Sequence, residues 1–108
     1  MTVMKIDKFA VPGPSMDEFL AEAGRTQALL GRQPGFVAGH VLQLRSGGSA
    51  YNVVSVVQWA GPDAVDGARR AVETDHRARG FDRAVFRDRL GISSDEGLYE
   101  PVVEPGPS

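Results

Sequence analysis

The chain has 108 residues, a length that supports one hydrophobic core and therefore one domain. Hydrophobic residues make up 42% of the chain and charged residues 24%, which is typical of a folded globular protein. The formal net charge is -2, so there is no excess of basic residues to bind a nucleic-acid backbone. The absence of cysteine excludes disulfides and cysteine-ligated metals, and two histidines are too few to favour a metal site.

No apolar run reaches the ~18 residues that a membrane-spanning helix needs. The first residues, Met1 to Lys5, lack the apolar core of a secretory signal. We therefore predict a cytoplasmic protein that binds neither membranes nor nucleic acid. Residues 1–104 are predicted to form the domain, and residues 105–108, which contain two prolines and a glycine, a flexible tail.

The first half of the chain predicts a strand, a helix and two further strands. Residues 3–11 read as a strand, and Ser15 and Glu18 have the spacing of a capping box before a helix over about residues 16–30. Residues 36–45 and 50–59 are extended runs joined by a four-residue loop, so we expect them to pair antiparallel.

The second half predicts two helices and a last strand. Pro62 suits the first turn of a helix that runs to Gly80, and Asp82 suits the cap of a short helix that closes at Gly91. Residues 93–97 are predicted as a polar turn and residues 98–104 as a strand, which Pro101 limits to an edge or bulged position. The resulting βαββαβ order predicts an α+β, ferredoxin-like fold with an antiparallel sheet.

The predicted hairpin collects large apolar side chains on one face of the sheet. If Arg45 pairs with Ala50, this face holds Phe36, Ala38, His40, Leu42, Leu44, Tyr51, Val53, Ser55, Val57 and Trp59. The reverse face is also apolar, whereas the helices of a ferredoxin-like domain cover only one face. We therefore predict a homodimer that buries the first face, with each of its residues serving either as interface core or as pocket wall.

The polar groups within this face are the candidate site. In the predicted register His40 faces Ser55 and lies about two pairs from Trp59, so it could accept a proton near neutral pH. The alternative is a core histidine that the Ser55 hydroxyl satisfies. Asp7 in the first strand is a second candidate base, with a solvent-exposed edge position as its alternative.

Four short segments in this order are similar to the antibiotic biosynthesis monooxygenase family. They are Ile6 to Pro12, Glu18 to Leu20, Pro34 to Phe36, and Tyr51 to Trp59 followed by a helix. The family consists of small ferredoxin-like domains that dimerise into an α/β barrel. Its members include oxygenases that convert anthrones or quinols to quinones with neither metal nor flavin, as well as haem-degrading enzymes.

The resemblance implies roles for single residues. Trp59 matches a tryptophan that closes the third strand in many members, while Ser55 stands where the quinone-forming oxygenases have an asparagine. Val65 replaces an aromatic hydroxyl, and Arg79 corresponds to the pocket arginine. The haem-degrading pattern is poorly matched, because this chain has Asp7, Ala68 and a displaced His76 in place of its asparagine, tryptophan and histidine.

From these observations we predict a cofactor-free, metal-free monooxygenase of an aromatic substrate, of the kind used in antibiotic biosynthesis. His40 is the predicted base, Ser55 its orienting partner, Trp59 the pocket wall and indole donor, and Asp7 the reserve base. The predicted substrate-binding residues are Phe36, Leu42, Tyr51, Val57 and Arg79. The alternatives are a non-oxidative dimeric barrel that binds a small hydrophobic ligand, and a cyclase or isomerase.

Overall fold

The computed structural model describes residues 1–103 and contains four strands and three helices in this range. The strands are β1 (Val3–Ala10), β2 (Phe36–Gln43), β3 (Val53–Trp59) and β4 (Ser93–Tyr99). The helices are α1 (Met16–Leu30), α2 (Pro62–Arg79) and α3 (Arg83–Leu90), and a 3-10 turn, Gly13–Ser15, precedes α1. The antiparallel sheet has the order β2-β3-β1-β4, which confirms the predicted ferredoxin-like fold. The end of the predicted domain at residue 104 and the predicted tail over residues 105–108 lie outside the described residues.

Local signals at the helix ends were mostly correct, but the predicted capping box does not form. Ser15 already has helical backbone angles after the 3-10 turn, and its hydroxyl donates to the Leu90 carbonyl at 2.8 Å. Glu18 pairs with Arg89 instead of the helix start, so these side chains join α1 to α3. At α3, the Asp82 carboxylate accepts from the Val85 amide at 3.1 Å, as predicted.

The pairing of β2 with β3 differs from the prediction by one residue. The connection covers residues 44–52 and is longer than the predicted four-residue loop, and Leu42 lies opposite Val54. His40 lies opposite Val56, and a bulge after Phe36 restores the predicted pairing of Phe36 with Trp59. Because side chains alternate along a strand, a shift of one residue moves Leu42 and His40 to the opposite face from Trp59.

Asn52, the last residue before β3, ties the chain to the end of β1. Its Oδ1 accepts from the Val11 amide at 2.8 Å, and its Nδ2 donates to the Val11 carbonyl at 2.7 Å. Its backbone amide donates to the Phe9 carbonyl at 3.0 Å. Its carbonyl accepts from the Leu44 amide at 2.9 Å, so Asn52 is bonded both to β1 and to the residue that follows β2.

The last strand begins earlier than predicted. Residues 93–97, predicted as a turn, belong to β4, and Pro101 lies beyond the end of this strand at Tyr99. β4 pairs with β1 alone, so its predicted edge position is correct. The polar residues of β4 fit an edge strand because one side of the strand remains open to solvent. Asp95 lies opposite Lys8, and Glu96 pairs with Arg87 at 3.1 Å.

The helices cover the face of the sheet that we call the inner face. Its buried apolar residues pack against α1, α2 and α3 and are Val3, Phe9, Val53, Val57 and Trp59. The prediction that Val53, Val57 and Trp59 lack cover within the chain is therefore wrong. The opposite face, which we call the outer face, has no helix on it. Its centre carries apolar residues from β1, β2 and β3, namely Met4, Ile6, Leu42, Val54 and Val56. No helix among residues 1–103 is long and apolar enough to cross a membrane.

Removal of the Asn52 side chain should destabilise the fold. Asn52→Ala deletes two hydrogen bonds and leaves the Val11 amide and carbonyl without their partner, so we expect a loss of about 2 to 4 kcal/mol in the free energy of unfolding. Urea unfolding measures this loss. Ser49→Ala in the same connection removes an exposed hydrogen bond and should cost less than about 0.5 kcal/mol. Equal losses for the two variants would contradict the assignment of Asn52 as the clamp.

Candidate functional site

A cavity of about 380 Å³ lies between the inner face of the sheet and the helices. Its floor comes from β1 and β3 and its walls from all three helices. The lining includes Lys5, Asp7, Ser55, Val57 and Trp59 on the floor, Gln27 on α1, His76 on α2, and Arg83, Phe86 and Arg87 on α3. This volume lies within the usual range for small-molecule sites.

A polar row crosses the otherwise apolar floor. Asp7 in β1 lies opposite Ser55 in β3 on one side and Glu96 in β4 on the other. The Lys5 ammonium donates a hydrogen bond to the Asp7 carboxylate from the same strand. The strand pairing therefore places a carboxyl, a hydroxyl and an ammonium group together at the floor of the cavity.

Asp7 is more basic than an ordinary aspartate. Burial raises its pKa, and this effect exceeds the lowering by the hydrogen bond and charge of Lys5; Glu96 adds to the rise, and Arg87 opposes it. A carboxylate whose pKa is raised binds a proton more readily than one in water. Asp7 is therefore suited to accept a proton from a ligand in the cavity.

Aromatic side chains form the apolar part of the site. Trp59 is 2% exposed, and Phe36 packs edge-on against it with ring centres 5.7 Å apart. Phe9 and Phe19 pack against each other at 4.9 Å further along the sheet. This arrangement holds the Trp59 indole in one position beside the cavity and provides a wall suited to a flat ligand.

The end of α2 and the start of α3 form a second, partly charged wall. Phe81 stacks between His76 at 4.8 Å and Phe86 at 5.1 Å. Burial, and to a smaller extent the charge of Arg79, lowers the pKa of His76. Arg83 also lines the cavity here. Phe81 and Phe86 of this wall were not predicted as site residues.

The structure brings together Asp7, Ser55, Val57 and Trp59, four of the predicted site residues. It separates His40 from them, because His40 is exposed on the outer face opposite Val56. The predicted hydrogen bond between His40 and Ser55 is therefore wrong, and the physical reason is the one-residue register shift. Leu42 lies on the same outer face, 51% exposed, and does not line the cavity.

Three further predicted residues also lie outside the cavity lining. Phe36 packs behind Trp59, and Tyr51 belongs to the connection before β3. Arg79 donates to Glu22 at 2.8 Å and to Asp75 at 3.0 Å. These two carboxylates hold the guanidinium in an ion-pair network between α1 and α2.

Gln27 is a polar break in the apolar face of α1. Its Nε2 is buried without a hydrogen-bond partner among the described residues. It packs over Gly39 of β2, where a Cβ would approach this nitrogen to 2.5 Å. Gly39 thus makes room for the amide.

Within residues 1–103, no group of three histidine or acidic side chains has the arrangement of a metal site.

Comparison with known proteins supports the fold through structure rather than sequence. No protein-family model and no curated protein matches the chain. SnoaB, a cofactor-independent oxygenase from Streptomyces nogalater, superposes with a TM-score of 0.67 at 28% identity over 95% of both chains. A proposed monooxygenase from Shewanella loihica PV-4 gives 0.70 at 18% identity over 95% of this chain and 96% of that one.

The haem degrader MhuD from Mycobacterium tuberculosis, with two haems bound in its active site, gives a TM-score of 0.71. It is 18% identical over 96% of this chain and 99% of that chain, so this likeness concerns the fold. These three structures have the ferredoxin-like fold of the antibiotic biosynthesis monooxygenase type, and the resemblance of the chain to that family is confirmed in its structure.

Proposed function

We propose that the protein is a cofactor-independent monooxygenase that oxidises an aromatic small molecule with dioxygen. The observation that carries the proposal is the position of Asp7, a carboxyl with a raised pKa on the floor of a cavity that Trp59 also lines. The likeness to SnoaB supports the same reaction class. An anthrone or quinol, such as an aromatic polyketide in antibiotic biosynthesis, fits a flat aromatic wall.

The reaction needs a base and an apolar site, since the substrate itself is the reductant. The Asp7 carboxylate takes a benzylic proton and leaves a carbanion or enolate, or takes a phenolic proton and leaves a phenolate. This anion gives one electron to dioxygen, the resulting superoxide and substrate radical combine to form a peroxide anion, and the proton held by Asp7 returns to that anion to give the hydroperoxide. With an anthrone, loss of water from the hydroperoxide turns the CH₂ group into a carbonyl. One oxygen atom enters the product and the other leaves as water.

In this proposal Asp7 replaces His40 as the base. Ser55, directly opposite Asp7 in β3, hydrogen-bonds to the substrate or to the carboxyl. Trp59 and Val57 form the apolar part of the cavity floor, against which the ring system lies. Exclusion of water by these side chains strengthens the electrostatic interactions at the carboxyl.

The second candidate is a non-oxidative protein of the same fold that binds a small hydrophobic ligand, or a cyclase or isomerase that uses Asp7 for proton transfer alone. Ser55 and Val65 favour it, because they stand where the resemblance implies an asparagine and an aromatic hydroxyl. Oxygen uptake with anthrone separates the two candidates. A chelator should leave this uptake unchanged.

We also propose that the protein is a homodimer that buries the outer face. This face exposes Leu42, and Val54 and Val56 run along its centre. Such a surface left in water would exceed the apolar patches that soluble monomers usually expose. The sequence analysis assigned the interface to the face that bears Trp59, so the proposed interface now lies on the opposite side of the sheet.

Val56→Lys should break this dimer, because it places a charge in the centre of the outer face. Sedimentation of the parent is expected to give about twice 11.6 kDa, and sedimentation of the variant a single chain. Val85→Lys is the matched control, since Val85 is an exposed valine on α3. A parent protein that sediments as a monomer at micromolar concentration would exclude the dimer.

Asp7→Asn should lower the rate of anthrone-dependent oxygen uptake by about 10² to 10⁴-fold, the usual effect of losing a general base. The amide keeps the shape of the side chain but does not accept a proton from carbon. An oxygen electrode measures the rate, and near-UV circular dichroism checks the fold. A rate within about threefold of the parent would rule out Asp7 as the base.

His40→Ala tests the assignment that the sequence favoured. A base at position 40 would cost about 10²-fold in rate upon substitution. Since His40 lies on the outer face, we expect a change of less than about threefold, measured for the dimer at saturating anthrone. A large loss with an intact dimer would return the base to His40.

The raised pKa of Asp7 has a consequence for stability. The free energy of unfolding contains a contribution that is fully present below the pKa of the unfolded aspartate and is lost as pH rises through the higher folded-state pKa. Asp7→Asn removes this loss. The stability of the variant relative to the parent should therefore increase as pH rises from below the ordinary aspartate value of 3.8 through the higher folded-state pKa of Asp7, as followed by urea unfolding. A constant difference would contradict the raised pKa.

A further inference from the structure

Lys5 is a cation that lines the cavity and takes no part in the proposed reaction steps. It lies two residues before Asp7 in β1, so the two side chains share the inner face. Both line the cavity, and their side chains are only 27% and 22% exposed. Within residues 1–103, Lys5 is the only cation that the strands place in the cavity, since Lys8 lies on the outer face.

Asp7 is the carboxylate to which the Lys5 ammonium donates a hydrogen bond. Its cross-strand neighbours are apolar, Val57 in β3 and Leu98 in β4. Two other carboxylates of the cavity are paired with arginines, Glu96 with Arg87 at 3.1 Å and Glu22 with Arg79 at 2.8 Å, although the charge of Lys5 also acts on Glu96. Neutralisation of Asp7 would therefore leave the Lys5 ammonium without its hydrogen-bonded anion.

Proton transfer to Asp7 creates this situation. When the Asp7 carboxylate takes a proton from a neutral substrate, the negative charge moves from Asp7 to the substrate and the total charge of the site stays constant. An ammonium within hydrogen-bond reach of Asp7 then has a new anion beside it. A charge-assisted hydrogen bond to that anion is worth more than one to a neutral oxygen.

We propose that Lys5 binds the ionised substrate oxygen, so that the cavity takes aromatic molecules whose deprotonation places negative charge on a phenol or enol oxygen. This inference rests on the proposed role of Asp7. Lys5 neutralises the base before proton transfer and holds the phenolate or enolate after it. The substrate anion is then stabilised without a metal at this position.

Asp7→Asn provides the background for the test, because the amide mimics the neutral Asp7 that follows proton transfer. The probe is 2-hydroxyanthraquinone, which is already oxidised and changes colour when its hydroxyl ionises. Asp7→Asn should bind the ionised probe about tenfold or more tightly than the double variant Asp7→Asn/Lys5→Met does. Neutral anthraquinone should bind the two variants equally, which would show that the cavity is intact.

Matched substitutions complete the test. Lys5→Arg in the same background should restore most of the preference for the anion, and Lys8→Met should leave it unchanged, because Lys8 points away from the cavity. The parent should bind the ionised probe more weakly than Asp7→Asn, because its Lys5 is paired with the Asp7 carboxylate. Equal binding of the ionised probe with and without Lys5 would overturn the inference.

Oxygen uptake separates this inference from the proposed function. If Asp7→Asn binds the ionised probe through Lys5 but the parent consumes no oxygen with anthrone, the anion site stands and the oxygenase proposal fails. If the parent consumes oxygen but Lys5→Met changes neither probe binding nor the maximal rate, the oxygenase proposal stands and Lys5 has only a structural role. Failure of Asp7→Asn to bind either probe would reject the proposed class of ligand.

Discussion

The clamp between Asn52 and β1 fixes which side of the sheet each residue of β3 faces. Three hydrogen bonds tie Asn52 to Phe9 and Val11, and β3 begins at the next residue. Because side chains alternate along a strand, this starting point directs Val53, Ser55, Val57 and Trp59 towards the helices. A start shifted by one residue would place Val54 and Val56 inside and would move the hydroxyl and the indole away from Asp7.

The sequence predicted those elements whose signals are local. The order of elements, the α1 range and the start of α2 at Pro62 were correct, since helical periodicity, proline and glycine act within a few residues of themselves. The register of β2 was predicted one residue out, because it rested on a four-residue loop, whereas the connection covers residues 44–52. Ser15 and Glu18 failed for another reason, since α3 uses both side chains.

The candidate site shows the same division. Trp59, Ser55 and Asp7 line the cavity, and the alternation of side chains along the third strand predicted that Ser55 and Trp59 share a face. His40 was assigned from a pairing that the structure does not contain. Lys5 and the wall formed by Phe81 and Phe86 were missed, because neither a lysine in a strand nor a phenylalanine after a helix differs in sequence from a surface or core residue.

The bulge after Phe36 reconciles two demands on β2. It lets Phe36 return to the inner face and support Trp59, whereas His40 and Leu42 stay on the outer face. The inner face keeps a carboxyl at Asp7 where burial raises its pKa, a cost that a purely structural core would avoid by using an apolar residue. The outer face is apolar at its centre and places no side chain in the cavity. The proposed chemistry and the proposed association therefore lie on opposite faces of one sheet, so substitutions on one face should affect the other only through the strands themselves.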